Sequence, residues 1–317
     1  MGRYLAVRVY SMGLTLFGLT ALVFLMLRLI PGTVVEQMIG ADAIASPAMV
    51  AELKRFFGLD QPWYVQYGHW LAQLARGDLG TSWRTGKPVI RLIVERLPVT
   101  IELTLLAVGF ALALGIAAGI VSAVRRDGAT DNATRVGTLL GLSVPVFWQG
   151  TMLILFFSLY LRWMPPVVWV DFFADPRRNL TIMLLPAICL GTASAANIAR
   201  TTRASMLDVM RSEYVRTAAA KGLARGAVVL KHALKNALIP VVTVAGLQMG
   251  ILLGGTVVVE EVFTLPGVGR LVLWSIYQRD FPLTQSTILF VAALFMLINL
   301  AVDLLYGYLD PRIRYGS

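Results

Sequence analysis

Six stretches of this chain stay apolar for 22 to 26 residues each, and that spacing limits the fold more than any single motif does. They are Val9–Ile30, Val99–Val124, Val136–Leu161, Thr181–Thr202, Ala237–Val259 and Leu283–Tyr308. A helix of about 20 residues crosses a hydrocarbon core of about 30 Å. Composition agrees. Of the 317 residues 57% are hydrophobic and 15% charged, where a soluble domain carries about 25% charged residues. The length therefore reads as a bundle of membrane helices, not as two soluble domains. The first stretch, with Arg3 and Arg8 ahead of it, could be a signal peptide. Its apolar run is too long for one, and only Pro31-Gly32 follows where a small-residue cleavage site would stand. It is expected to stay as a helix.

The net charge of +10 does not indicate nucleic acid, because the basic residues sit between apolar runs and mostly on one side. Fifteen Lys and Arg fall on the side that holds Arg3, Arg125, Arg200–Lys235 and Arg312, against five in the short loops opposite. By the positive-inside rule both termini are expected in the cytoplasm. Segment 31–98 and the loops near 162–180 and 261–282 are expected outside. Within segment 31–98, Ser46-Pro47 reads as a capped helix start that Gly58 ends. Pro62 to Leu74 reads as a second, aromatic amphipathic helix carrying Trp63, Tyr64, Tyr67 and Trp70. Such side chains favour a wet–apolar boundary, so the pair is expected on the outer membrane surface.

Several chemistries are missing. Gly86-Lys87 is followed by Pro88, so no phosphate-cradling G-x-x-x-x-G-K-[ST] loop exists and ATP is not expected to bind here. Cys189 is the only cysteine, and His69 and His232 are the only histidines, so no metal site is expected. No nucleophile–base motif appears, so no catalytic residues are assigned. Glu102 and Asp303 lie inside apolar runs, where a coupling-ion role competes with the stronger reading of helix-end or interhelical hydrogen bonding. Energy is therefore expected to come from another subunit.

The basic stretch between the fourth and fifth spans is the most informative. Ser212 reads as an N-cap, Glu213 suits the positive end of a helix dipole, Lys221 the last turn, and Gly222 the left-handed C′ position. A helix of about nine residues is marginal alone, so it is expected to dock, with Ala218 and Ala219 allowing close approach. A second helix, Ala224 to Leu238, is expected to close at Pro240. Spacing alone leaves a protein partner and an anionic lipid surface equally open.

Tyr214-Val215-Arg216-Thr217-Ala218, Ala220-Lys221-Gly222, His232-Ala233-Leu234 and Pro240 resemble the EAA loop, the coupling helix, of the peptide/nickel branch of ABC importer permeases. Arg216 and Thr217 depart from the generic pattern as that branch does. Further resemblance lies in Gly58-Leu59-Asp60-Gln61-Pro62, Gly77-Asp78-Leu79-Gly80-Thr81-Ser82, Arg96-Leu97-Pro98-Val99-Thr100, Gly254-Gly255-Thr256, Pro266-Gly267-Val268-Gly269-Arg270, Arg279-Asp280-Phe281-Pro282 and Asp310-Pro311-Arg312. The chain is thus similar to B-type permeases for dipeptides, oligopeptides or glutathione.

The resemblance implies an all-α membrane protein of the MetI-like type I importer permease fold. It would have six transmembrane helices, counting an extra N-terminal one, and an outer helical segment. The expected division is 1–30 as cytoplasmic end and first span, 31–98 as outer segment, 99–309 as a five-helix core with coupling loop 204–236, and 310–317 as cytoplasmic tail. The implied partners are a second homologous permease, two ATPase subunits that bind ATP and Mg, an extracytoplasmic substrate-binding protein, a peptide substrate and the lipid bilayer. Glu213, Tyr214, Arg216, Thr217, Ala218, Ala219, Lys221 and Gly222 would couple to the ATPase. Gly246, Gly250 and Gly254 form a small-residue face suited to a seam with the second permease or to packing within the chain. Gln248 is the polar group expected in the pore. Glu260, Phe263, Pro266, Gly267, Gly269 and Asp280 would form an outer gate, a docking surface or a simple loop, with positive φ expected in Pro266–Gly269. The rival readings are the same machinery importing nickel or another small solute, a stand-alone secondary transporter, and a membrane scaffold.

Overall fold

The fold is that of a computed structural model, in which residues 2–30, 32, 34–39, 46–166 and 168–309 are described. It is helical, with one isolated bridge between Thr81 and Pro88. Helices α1 (Gly2–Leu29), α2 (Val34–Ile39), α3 (Pro47–Phe56) and α4 (Trp63–Ala75) precede the long α5 (Val89–Val124). Then come α6 (Ala129–Ser143), α7 (Val146–Leu159), α8 (Pro176–Met210), α9 (Glu213–Ala220) and the short α10 (Arg225–Ala227). A π turn at Val228–Ala233 leads into α11 (Leu234–Val262), followed by α12 (Val268–Tyr277) and α13 (Phe281–Leu309). Among the described residues five helices or helix runs are long and apolar enough to cross a membrane, and a sixth if α6 and α7 make one bent span.

The third span differs from the straight run expected over Val136–Leu161. Helices α6 and α7 meet at 109°. Pro145 explains the break: it has no N–H to continue the ladder, and it forces Val144 out of the helical region, to φ −79° and ψ 123°. Pro98, Pro186 and Pro240 instead lie inside α5, α8 and α11. The expected stop at Pro240 is therefore corrected, since the helix runs on through it. Membrane helices tolerate this where neighbours and local π adjustments satisfy the freed groups. Just upstream, the Leu234 N–H donates to Val229 O, five residues back.

The chain forms two compact units. One takes the residues up to Pro98 with Pro266–Leu297; the other takes Val99–Leu265 and the described residues from Ile298. The tail 310–317 lies outside the described residues. In the second unit α8 is the central helix, buried along much of its length, with α6, α7 and α11 against it. Its core joins Leu103 and Ala107 of α5, Met183 and Leu190 of α8, and Leu252 and Val259 of α11. Glycine sets the closest approaches. A Cβ on Gly115 or Gly119 would stand 2.7 Å from the carbonyl oxygen of Ala195 or Ala199, and one on Gly191 2.6 Å from Ala107 O. These faces pack within the chain.

In the first unit the Ser46 side chain accepts from Met49 N, and Gly58, at φ 65°, follows the end of α3, as expected. Helix α4 lies against α1: the Phe24 and Tyr67 rings meet edge-on at 5.0 Å, and the Thr20 and Tyr67 hydroxyls are 2.9 Å apart. Val89 and Ile93 of α5, Leu271 of α12 and Leu283 of α13 form a second core. Asp280, fully buried, ties this region together. It accepts from the Ser82 hydroxyl at 2.5 Å, and from Trp83 N, Arg84 N and Leu283 N at 3.2 to 3.3 Å.

Candidate functional site

Helix α9 is eight residues long and would not persist alone in water. It is held from one side. Val215 and Ala218 are buried in a cluster with Ala123 of α5, Met206 of α8, Val228 and Val229 of the π turn, and Ala237 of α11. Glu213, Tyr214, Arg216, Thr217, Ala219, Ala220, Lys221 and Gly222 are all exposed. The expected small-residue face is thus split: Ala218 packs inward on its own chain, and Ala219 looks outward. Three residues apart, Val215 and Ala218 share the inner stripe that a helix presents to its support.

The ends of α9 are defined as expected in place, though not in every contact. Ser212 holds the N-cap position, at φ −69° and ψ 148°, but makes no side-chain cap; its hydroxyl donates to Val209 O at 2.6 Å instead. Gly222 has φ 80°, the left-handed conformation expected of it, and an added Cβ there would meet nothing within 4 Å. On the surface, Arg216 pairs with Glu213 at 2.8 Å. Asn236 of α11 donates to the Tyr214 hydroxyl at 2.7 Å, which anchors the exposed ring to the following helix.

Beneath this helix lies a group that sequence reasoning missed. Asp131, in the first turn of α6, is fully buried. The Arg203 guanidinium of α8 donates to both its oxygens, from Nε at 2.8 Å and Nη2 at 2.7 Å. The Ser122 hydroxyl of α5 donates to the same carboxylate and accepts from Arg203 Nε at 3.1 Å. Asp127 N adds a fourth bond at 3.0 Å. Bidentate pairing of this kind fixes orientation as well as distance. It clamps the ends of α5, α6 and α8, one residue from Ala123 and three from Met206, both of which support α9. The Arg225 guanidinium also donates to Val124 O, at the end of α5. The sequence did hold a signal: two aspartates, Asp127 and Asp131, among the arginines Arg125, Arg126 and Arg135. A count of basic residues for orientation passes over it.

The other expected site residues fall elsewhere. Gln248, the polar group expected in the pore, is 7% exposed within this chain. In the small-residue face of α11, a Cβ on Gly246 would overlap Val302 of α13, Gly250 is buried, and Gly254 has nothing within 4 Å. Gly246 therefore packs within the chain, and Gly254 alone has open space beside it.

Of the residues expected at an outer gate, Glu260 is fully buried and accepts from the Thr100 hydroxyl at 2.7 Å. Phe263 packs near Gly150 of α7. Gly267 and Gly269 are buried, and Pro266 is half-buried. The expectation of positive φ there is corrected: Gly267 is extended, at φ −92° and ψ 180°, as the N-cap of α12. The left-handed residue is Thr264, at φ 56°. Glu102 is half-buried beside Asn179 of α8, and Asp303 lines a cavity of about 200 Å³ with Gly246 and Val302.

Comparison with known proteins shows the family. Residues 115–315 match the family described as binding-protein-dependent transport system inner membrane component, and residues 1–104 match its N-terminal family. The chain is 45% identical to the dipeptide transport system permease protein DppB of Alkalihalophilus pseudofirmus, over 95% of this chain and 96% of that one. It is 43% identical to the glutathione transport system permease protein GsiC of Escherichia coli O6:H1, over 99% of this chain and 100% of that one. In fold it is similar to a chain of the MetNI methionine ABC transporter solved in inward facing conformations. There the TM-score is 0.57 at 18% identity, covering 70% of this chain and 97% of that one. An all-helical chain with five or six spans, a MetI-type fold and full-length relatives of this kind belongs to the binding-protein-dependent transport system inner membrane component family, as a permease subunit and not an ATPase.

Proposed function

We propose that this chain forms half of the pore of an ATP-driven importer for short peptides, with dipeptides, short oligopeptides and glutathione as the substrate class. The relatives named for dipeptide and glutathione transport support that class. A second homologous permease would complete the pore, and an extracytoplasmic binding protein would deliver the substrate. Both termini lie in the cytoplasm on this reading, which puts α9 on the side where ATP is available. ATP and Mg are held by two separate ATPase subunits.

The observation that carries the reading is the two-sided character of α9. Val215 and Ala218 bolt it to the ends of four other helix segments, while Tyr214, Arg216, Thr217, Ala219, Lys221 and Gly222 stand exposed. A load applied to the outer face passes into α5, α8 and α11 through packed side chains, and a close-packed interior transmits displacement. Glu213 and Tyr214 complete the docking face. Nothing in this mechanism needs a reacting group in the chain. The ATPase supplies the free energy, and α9 converts its movement into alternation of the pore between outward and inward access.

The test is reconstitution in proteoliposomes. With the co-purifying ATPase and binding protein, uptake of a labelled dipeptide is expected only when ATP is on the α9 side. Uptake driven by an ion gradient, with no ATPase present, would overturn the reading.

A further inference from the structure

A cavity of about 670 Å³ lies within the first unit, among α1, α3, α4, the loop 78–86 and the start of α13. Arg28, one residue before the end of α1, is its cation. The guanidinium stands 3.4 Å above the centre of the Phe24 ring and 5.6 Å from that of Phe281. It donates to Gln66 Oε1 at 2.6 Å and to Phe24 O at 3.3 Å. Every one of these partners is neutral. Asp78, the one carboxylate among the lining residues, accepts from Gly80 N at 2.8 Å and makes no ion pair with Arg28. A guanidinium has five N–H donors in a fork that matches phosphate oxygens.

Donors exceed acceptors around this cavity in a second way. Trp70 and Gln285 both line it, at 7% and 4% exposure, and neither Trp70 Nε1–H nor Gln285 Nε2–H has an acceptor. An unmatched buried donor is costly, so groups of this kind usually mark a missing ligand or water. What would satisfy them is a group with several acceptor oxygens and negative charge. The flanking surface points to its source. On α1 the side chains of Leu22, Leu25, Met26 and Leu29, on the face turned away from Phe24, are 50 to 82% exposed, and Phe56, which lines the cavity, is 82% exposed, apolar surface of the kind that acyl chains cover. Arg28 stands at the end of the first span, and Trp70 lies on the amphipathic helix packed against it, residue types that favour headgroup depth.

We infer that this cavity is a phospholipid site, in which Arg28, Trp70 and Gln285 take the headgroup phosphate. It couples the outer helices α3 and α4 to the bilayer by a bound lipid. The inference rests on the membrane location of the family and not on the peptide reading, so the two can fail separately.

The experiment uses the full chain, purified in mild detergent with the subunits that accompany it, and counts retained phosphatidylglycerol by native mass spectrometry. The wild type is expected to retain it at least about tenfold better than Arg28→Gln, since losing one charged phosphate contact changes affinity by roughly that factor. Arg28→Lys should restore part of the retention, and Trp70→Phe, which keeps the ring and loses the N–H, should weaken it if Arg28→Gln does not fold. Equal retention in Arg28→Gln and wild type overturns the site. Displacement of the lipid by inorganic phosphate would make it a soluble-anion site, and displacement by dialanine a peptide site; either result also overturns it.

Discussion

Arg203 and Asp131 meet through two parallel hydrogen bonds, 2.8 and 2.7 Å long, with the carboxylate fully buried and the guanidinium partly exposed. The pair joins α8 to α6, and Ser122 brings in α5. Ser122 and Arg203 are one and three residues from Ala123 and Met206, which support α9. Removing one partner leaves the other charge buried and unpaired, which costs about 3–5 kcal/mol. Arg203→Ala is therefore expected to lower the melting temperature of the purified complex sharply. The double variant Asp131→Leu with Arg203→Leu should be less damaged than either single change. Independent, additive losses would show that the two do not act as a pair.

Gly222 is expected to matter for transport more than for folding. Its φ of 80° costs a side-chain-bearing residue roughly 1–2 kcal/mol, yet an added Cβ would meet nothing within 4 Å. Gly222→Val should reach the membrane at the wild-type level and lose ATP-driven peptide uptake. Uptake at the wild-type rate would remove α9 from the coupling path.

Two glycines with the same spacing to a neighbour in sequence should behave oppositely. At Gly119 a Cβ would lie 2.5 Å from Thr202 Cβ and 2.7 Å from Ala199 O, whereas at Gly137 it meets nothing within 4 Å. Gly119→Ala is expected to destabilise by about 1–3 kcal/mol through overpacking. Gly137→Ala should be neutral or stabilising by up to about 1 kcal/mol from helix propensity. Thermal unfolding of both variants in one detergent checks the sign of each.

Asp280 is expected to act as a staple and not as a gate. Asp280→Ala strips the acceptor from Ser82, Trp83, Arg84 and Leu283 together. Loss of the helix N-cap alone costs about 0.5–2 kcal/mol. Limited proteolysis should then cut near residues 82–86 in the variant and leave the wild type whole. Unchanged proteolysis would return Asp280 to the list of residues free to serve a gate.

The fold was largely legible because membrane spans are written in runs of apolar residues, and those runs survive any packing arrangement. Helix α3 was legible for a local reason, the Ser46-Pro47 start and the left-handed Gly58. The bend between α6 and α7 was not, although Pro145 stood in plain view. Proline alone does not say whether a helix breaks, as at Pro145, or runs on, as at Pro98 and Pro240; neighbouring helices decide. At α9 the boundaries could be read from Glu213 and Gly222, but the side facing the support could not. Ala218 and Ala219 look alike in sequence, and only tertiary packing buries the first. Gln248, expected in the pore, and Glu260 and Asp280, expected at an outer gate, are buried within their own chain. In sequence a polar residue marked for a pore or gate looks the same as one held by its own chain, as Glu260 is by Thr100 and Asp280 by Ser82, until the partners are seen.

The most direct measurement uses the single native cysteine, Cys189, which is buried and leaves the surface free of competing thiols. Ala219→Cys places a thiol on the outer face of α9, and Val215→Cys places one on the inner face. In the intact complex a short bifunctional crosslinker should join the ATPase subunit to the thiol at 219 and not to that at 215. An ATPase adduct at neither position, with uptake of a labelled dipeptide still intact, would contradict the claim that this chain takes its driving force through α9.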